Sequence, residues 1–285
     1  MKNLLIIFLA IFLAACSQTP ENSNLVRISG TIENAGDQPV EFVFYRDYTN
    51  NHKEIISLET DADNQFTVEF EMKEPAMGTL RHGRASIRLF LEPGDELVLN
   101  ADAANLLESL ALEGPAAASN NFLVAYQREV EPGYSSSFFN NAAKDHDAVA
   151  FVALMDEVTA KKLESLEKHP QAEELSEAFK HHFVTEVHYD KYNRLLGYAA
   201  SHQRFNQLEE PPALPDGYFD FLDQAIHADV KCLNSETCAA FLMAYLNHQA
   251  ALQPDLFDEQ ASPNETGYLL ARENLTGPAS EYVQL

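Results

Sequence analysis

The densest group of ligand-type side chains in this chain consists of His181, His182, Glu186 and His188. His182 and Glu186 stand four positions apart, so a helix would place both on one face, where side chains of this kind can bind a metal ion. The order of an HExxH zinc motif is missing, and two ligands do not complete a metal site. The pattern favours histidines beside acids on a long solvated helix, and we predict no metal.

A second candidate for metal binding is Asp61-Ala62-Asp63-Asn64, which resembles the beginning of a calcium-binding loop. That loop requires Gly at its sixth position and a bidentate Glu at its twelfth. Phe66 and Met72 occupy those positions here. The segment therefore predicts a β-turn between two strands.

Motifs that would support catalysis are missing from the sequence. There is no CxxC pair, GxSxG turn, phosphate-binding loop or dinucleotide fingerprint. Asp145-His146-Asp147 precedes a predicted helix, where Asp caps free N–H groups, and it has no visible nucleophile partner. We predict no catalytic residue, no cofactor and no enzymatic activity for this chain; an enzyme of unrecognised type is the remaining alternative.

The first cysteine, Cys16, closes an N-terminal targeting segment. After Lys2 the sequence runs through twelve apolar residues, Leu4 to Ala15, which is too short to span a bilayer and typical of a signal peptide. Leu13-Ala14-Ala15-Cys16 resembles a lipobox. We predict a signal peptide over 1–15, cleavage between Ala15 and Cys16, lipidation of Cys16 and a tether over 16–24. An ordinary secretory signal with an incidental cysteine is the alternative.

The predicted lipidation indicates that the protein is located in the cell envelope and that its partner is the membrane. Several acyl chains hold a protein stably on a membrane, so the chain is expected in the bacterial cell envelope, anchored by its N-terminal lipid. Ser17, directly after the lipidated cysteine, favours the outer membrane, with the protein facing the periplasm.

Cys232 and Cys238 are the other two cysteines, and in an oxidising compartment two such thiols tend to join. Cys232 precedes a predicted helix that Asn234 or Ser235 can cap, and Cys238 lies in its first turn. We predict a structural disulfide; free thiols and a redox-active pair are the alternatives. Catalytic dithiols usually have two residues between them, whereas five separate these.

Composition narrows the function classes. The formal net charge is −25, and no Lys/Arg cluster interrupts it, so the chain repels phosphate backbones and nucleic acid is excluded as a partner. Removing 15 residues from 285 leaves a mature chain of 270 residues with a hydrophobic content, counted over the whole sequence, of 46%, enough for a packed core.

The first part of the mature chain alternates between apolar and polar residues, and turn residues interrupt it every 8–12 positions. Short strands with regular turns predict an antiparallel β-sandwich or barrel-like domain over 25–102. Pro93-Gly94 suits the centre of a type II turn. The predicted strands are 25–32, 40–45, 54–60, 66–72, 87–91 and 96–100.

From Glu113-Gly114-Pro115 onward the apolar period becomes helical, which predicts an all-α region over 116–285 and an α+β fold for the whole chain. Helices are predicted from residue 120, over 145–168, from 175 to about 201, and over 218–227, 235–252 and 264–274. The chain stops seven residues after Pro278, which suggests a truncated helical region that normally continues; a short packed tail is the alternative.

The order of these parts resembles the N-terminal region of the TlpA/ResA-type thiol–disulfide oxidoreductase lipoproteins of Bacteroidetes. The resemblance is carried by Ile28-Ser29-Gly30-Thr31-Ile32, by the turn from Asp61 to Phe66, and above all by Phe90-Leu91-Glu92-Pro93-Gly94-Asp95-Glu96-Leu97. In that family a thioredoxin-like domain with a CxxC motif follows. This sequence has neither, so the resemblance carries over no catalytic residue.

Two functions follow as hypotheses. The resemblance implies a non-catalytic accessory region of a thioredoxin-like thiol–disulfide interchange protein, with a covalent thioredoxin-like domain or a protein partner. The alternative is a stand-alone lipoprotein that binds an envelope ligand or serves as a scaffold for a protein partner.

Overall fold

The computed structural model describes residues 24–47, 52–225, 235–252, 269 and 271–275. The predicted signal peptide, the lipidation site Cys16, Cys232 and the last ten residues lie outside the described residues. Within the described ranges, no helix has both the length and the apolar character needed to cross a bilayer.

The N-terminal part is a sandwich of two four-stranded sheets, and a helical region follows it, so the predicted α+β fold is confirmed. The first sheet has the strand order β4-β1-β7-β8 and the second has the order β3-β2-β5-β6. The strands are β1 (Leu25–Glu33), β2 (Val40–Asp47), β3 (His52–Ser57), β4 (Gln65–Glu71), β5 (Ala76–His82), β6 (Ala85–Leu91), β7 (Glu96–Asp102) and β8 (Ala111–Glu113).

One strand pair departs from the antiparallel arrangement. β1 and β7 run parallel, with Ile28 opposite Leu97 and Gly30 opposite Leu99, whereas the other pairs among the described strands are antiparallel. Parallel neighbours need a long crossover. Here the chain passes through the second sheet twice between β1 and β7, which supplies it.

The sandwich core follows from the period-two pattern. Alternate residues of β1, β6 and β7 point between the sheets, and they include Val26, Ile28, Ile87, Leu89, Leu97 and Leu99, each at most 1% exposed. Phe42 and Phe44 are also buried and pack against Phe70, with ring centroids 6.1 Å and 5.8 Å from its centroid, so they belong to the core.

Two strands were not predicted from the sequence. β5 contains Gly78 and lacks a clear apolar alternation, and β8 is only three residues long and lies beyond the predicted boundary at residue 102. Gly30 and Gly94 are among the glycines whose backbone conformations L side chains rarely adopt. Gly94 has φ +87°, as the predicted type II turn requires, and a Cβ on Gly30 (φ +148°) would lie 1.8 Å from the Leu99 carbonyl oxygen.

The helical region agrees with the predicted periodicity where that periodicity is long. The predicted helix over 145–168 spans 148–167, and the helix predicted from 175 to about 201 begins at 177 and runs on to 206. Only four residues of the predicted 218–227 helix are described as helical. The helices are α1 (Leu106–Ser109), α2 (Ala117–Glu129), α3 (Ser136–Asp145), α4 (Ala148–Glu167), α5 (Glu177–Asn206), α6 (Leu222–Ala225) and α7 (Glu236–Leu252).

Short polar side chains cap the beginnings of α4 and α7, as the sequence indicated. Asp147 accepts the Ala150 N–H at 2.9 Å at the beginning of α4. Ser235, one of the two predicted capping residues of α7, accepts the Cys238 N–H at 3.1 Å. These caps set where α4 and α7 begin.

The helical region packs on the outer face of the second sheet along its edge strand β6. The buried amide of Asn120 on α2 pairs with the Phe90 main chain, and Gln127 Oε1 accepts the Arg88 N–H at 2.8 Å. Phe90 itself packs edge-on against Phe179 of α5. The sandwich and helix α5 are therefore held together, and both contribute to the cavity described next.

Candidate ligand-binding cavity

A cavity of about 370 Å³ lies between the outer face of the second sheet and the helical region. This volume is at the lower end of the range in which small-molecule sites are found. Strands β5 and β6 contribute one wall, and α2, α3, α4, α5 and the first turn of α7 contribute the others. The walls carry six charged side chains and several aromatic rings, among them Arg88, Tyr126, Glu131, Lys162, Glu186, Asp190 and Arg194.

Helix α5 positions three of the charged side chains. Glu186, Asp190 and Arg194 follow one another at intervals of four residues, so they lie on one face of the helix, one turn apart. The apolar residues Phe179 and Phe183 precede them on the same stripe and are buried. Charged residues thus replace apolar ones along the stripe that faces the rest of the protein.

Asp190 is shared by two cations. Lys162 Nζ lies 2.7 Å from Asp190 Oδ2, and Arg194 Nη2 lies 2.8 Å from Asp190 Oδ1. Burial disfavours the charged carboxylate, yet Arg194 and Lys162 together hold the pKa of Asp190 below its ordinary value. The cluster of Lys162, Asp190 and Arg194 therefore carries one net positive charge at neutral pH.

Aromatic rings lie against these cations. The Arg194 guanidinium carbon lies 3.2 Å from the centroid of Phe139, and Lys162 Nζ lies 5.6 Å from the same centroid. Arg88 ion-pairs with Glu131 and lies 6.0 Å from the centroid of Tyr126. The cations that line the cavity therefore lie close to aromatic rings.

Glu186 has a different environment from Asp190. Burial raises the pKa of Glu186 above its ordinary value, while hydroxyl groups of Ser235 and Thr237 at the beginning of α7 hydrogen-bond to it and oppose that shift. The ion-pair partner recorded for Glu186 within the described ranges is His182, whose Nε2 lies 3.8 Å from Glu186 Oε1.

His182 is neutral at neutral pH. Burial, together with the positive charge of Arg88 and the neighbouring His181, lowers its pKa to about 4. The ring packs against Phe90, with centroids 5.3 Å apart, and within the described residues Nε2 has no hydrogen-bond partner. Arg88, which pairs with Glu131, lowers the pKa of Glu186 by its positive charge, but among the described residues no cation forms a direct ion pair with Glu186.

The predicted ligand-type histidines do not converge. His181 is exposed, His182 is buried beside Glu186, and His188 is half-buried and stacks on Tyr192. In the ranges that the structure describes, no group of three His, Cys, Asp or Glu residues could hold a metal ion.

The other motifs singled out from the sequence have local structural roles. Asp61 Oδ1 accepts the N–H groups of Asp63 and Gln65, both at 2.9 Å, so the predicted turn before β4 is confirmed. Asp147 caps α4, as described above.

Cys238 lies in the first turn of α7, where it was predicted, is fully buried and is disulfide-bonded. Its predicted partner, Cys232, lies outside the described residues, so the pairing stays a prediction.

The sequence did not predict that Arg88, Lys162, Asp190 and Arg194 belong to a common site. One signal was available, because Asp190 and Arg194 continue the apolar stripe of α5 at positions where a packed helix normally has apolar residues. The approach of Arg88 on β6 and Lys162 on α4 to that stripe depends on tertiary packing and had no local signal.

Comparisons with known proteins give no match: no protein-family model, no curated protein and no solved structure matches the chain.

Proposed function

We propose that this protein is a lipid-anchored binding module of the cell envelope, and that the cavity between sandwich and helical region is its ligand site. One observation carries the proposal: six charged side chains from both regions converge on one cavity, and they are Arg88, Glu131, Lys162, Glu186, Asp190 and Arg194. Partly burying charges is costly, and hydrophobic residues of similar volume often stabilise a protein at least as well. A binding role explains why charges lie here.

The anchoring part of the proposal is supported by the sequence of the first sixteen residues and by the disulfide at Cys238. Disulfides persist in oxidising compartments, which include the periplasm. Changing Cys16→Ser should move the protein from the membrane fraction to the soluble fraction and remove the acyl mass from the intact protein. Retention of the variant in the membrane fraction would contradict lipidation at this cysteine.

A second candidate function is the accessory region of a TlpA/ResA-type thiol–disulfide interchange protein. It is favoured by the fact that the segments carrying that resemblance lie against one another. The Ile32 N–H donates to the Asn64 carbonyl at 2.9 Å, and Ile28 lies opposite Leu97 in the pairing of β1 with β7. On this proposal the chain performs no dithiol chemistry itself. The purified chain should not accelerate the reduction of insulin by dithiothreitol; acceleration would overturn its non-catalytic role.

The binding proposal is tested by blocking the mouth of the cavity. Ser136 is exposed and lines the cavity, whereas Ser137 is exposed on the same helix and does not line it. A panel of small anions, cations, zwitterions and sugars is screened for compounds that raise the melting temperature of the wild type. Ser136→Trp should abolish the shift and Ser137→Trp should retain it. If no compound gives a shift that Ser136→Trp removes, the cavity is not a ligand site.

A further inference from the structure

We propose that the cavity takes a short peptide with free termini, whose ammonium group pairs with Glu186 and whose carboxylate pairs with Lys162 and Arg194. This inference rests on the proposed binding function and names its ligand class.

The carboxylate end follows from the unequal pairing around Asp190. One carboxylate neutralises two cations, Lys162 at 2.7 Å and Arg194 at 2.8 Å, so one positive charge remains for a ligand. In addition, Arg194 Nε is buried and has no hydrogen-bond partner within the described residues. A buried donor without an acceptor is unfavourable, and an incoming carboxylate offers acceptors to this guanidinium.

The ammonium end follows from the fact that, among the described residues, no cation forms a direct ion pair with Glu186. About one fifth of its side chain is exposed, and its recorded ion-pair partner is the neutral His182 at 3.8 Å. The Ser235 and Thr237 hydroxyls bind the carboxylate without neutralising it. Arg88 acts on Glu186 from beyond ion-pair distance while it pairs with Glu131, so an ammonium group would be the first cation in direct contact with Glu186 among the described residues. The low effective dielectric of a partly buried site strengthens such a pairing.

The distance between Glu186 and Arg194 suits the two termini of a peptide better than the two charged groups of a single amino acid. Glu186 and Arg194 are eight residues apart on α5, which places their Cα atoms about 12 Å apart along the helix axis. An extended peptide advances about 3.4 Å per residue, so a dipeptide or tripeptide separates its termini by roughly 7 to 10 Å. The Cα atoms of Glu186 and Arg194 are thus farther apart than the two termini of the peptide. The side chains of Glu186 and Arg194 extend from the helix and can span the remaining distance.

The walls between these ends suit the rest of such a ligand. Leu123, Phe139, Phe183 and Val187 provide apolar surface for peptide side chains, and Tyr126 and Tyr134 provide rings with polar edges. The cavity volume of about 370 Å³ fits a ligand of two or three residues.

The test compares calorimetric titrations of the full mature chain with alanyl-phenylalanine and trialanine, and with their N-acetylated and C-amidated forms. At least one free peptide should bind, and either block should weaken its binding at least tenfold, because each block removes one charge. Glu186→Gln should weaken the free peptide to the affinity of its N-acetylated form, and Lys162→Gln should weaken it to that of its amidated form. Glu177→Gln removes an exposed acid from the same helix, with a side chain 91% exposed, and should leave binding unchanged.

The titrations can also contradict the peptide proposal without contradicting the wider binding proposal. Equal binding of free and blocked peptides, or no peptide binding by variants and wild type alike, would overturn the inference. The binding proposal would still stand if another compound raised the melting temperature of the wild type but not of Ser136→Trp. Circular dichroism and melting temperatures of Glu186→Gln and Lys162→Gln show whether a loss of binding reflects a loss of fold.

Discussion

The side-chain amide of Asn120 pairs with the main chain of Phe90 in the way a neighbouring strand would. Phe90 N–H donates to Asn120 Oδ1 at 2.7 Å, and Asn120 Nδ2 donates to the Phe90 carbonyl at 2.8 Å. The same Nδ2 also donates to the Ala116 carbonyl at 2.8 Å. One fully buried side chain thus satisfies the edge strand β6 and fixes α2, and with it one wall of the cavity, to the sandwich.

Replacing Asn120→Ala should therefore lower the free energy of unfolding by about 3 kcal/mol, because three hydrogen bonds are lost and main-chain groups of Phe90 are left buried without partners. Urea denaturation of the purified variant measures the change. The neighbouring Asn121→Ala serves as the control, since Asn121 is less buried and makes one longer bond to the Leu112 carbonyl at 3.4 Å. Similar losses for the two variants would contradict the role given to Asn120.

The shared acid of the cavity gives a second prediction. Asp190→Asn leaves Lys162 and Arg194 facing each other without an anion, so the free energy of unfolding should fall by about 2 kcal/mol. The control is Glu157→Gln, which removes an exposed pair with Lys161 and should cost less than about 0.5 kcal/mol. If the free energy of unfolding falls as little in Asp190→Asn as in the control, the ion pairs of Asp190 do not stabilise the fold.

Stability should also depend on the ionisation of Asp95 at the turn before β7. Burial, opposed by the hydrogen bond from the Glu92 main-chain N–H and assisted by the charge of Glu92, raises the pKa of this carboxyl from 3.8 to about 6. The folded protein therefore binds the proton more tightly than the unfolded chain, so this contribution to stability is complete below pH 3.8 and is lost as the pH rises to about 6.

The measurement is the urea midpoint of wild type and Asp95→Asn between pH 4 and pH 7. Relative to wild type, the variant should gain stability as the pH rises through this window, because it has no carboxyl to ionise. Asp37→Asn, at an exposed position, should run parallel to the wild type. An Asp95→Asn curve that also runs parallel would show that Asp95 does not titrate differently in the folded state.

The disulfide gives a fourth prediction. Peptide mapping without reductant should recover Cys238 joined to Cys232, the pairing that the sequence predicts. Reduction should lower the free energy of unfolding by about 2 kcal/mol, the value expected for so short a loop in the chain-entropy model. Recovery of Cys238 joined to a different cysteine would refute the pairing, and unchanged stability after reduction would refute its structural role.

The sequence predicted the elements whose patterns are local and long. Helix α5 keeps Phe179, Phe183 and Val187 on one buried stripe, and β4 alternates cleanly, so both were found. β5 was missed because Gly78 interrupts its alternation, and the parallel pairing of β1 with β7 was missed because it depends on the order in which the chain visits the two sheets.

The candidate site was harder to predict for a physical reason. Arg88 looks like an ordinary outward residue of an alternating strand, because the docking of α2 and α5 onto β6 has no counterpart in the local sequence pattern. Lys162 lies among the charged residues of α4, and only its approach to Asp190 distinguishes it from Lys161. Contacts between side chains of elements that are far apart in the sequence produce no periodic pattern from which they could be predicted.

The most direct test of the account is to observe where a ligand binds. Met77 lines the cavity, whereas Met243 is 47% exposed on α7 and does not line it. With methionine methyl groups labelled with carbon-13, titration with the tightest-binding free peptide should shift the Met77 resonance saturably and leave Met243 unchanged. A Met77 resonance that does not move when the peptide is saturating would contradict the claim that this cavity is the binding site.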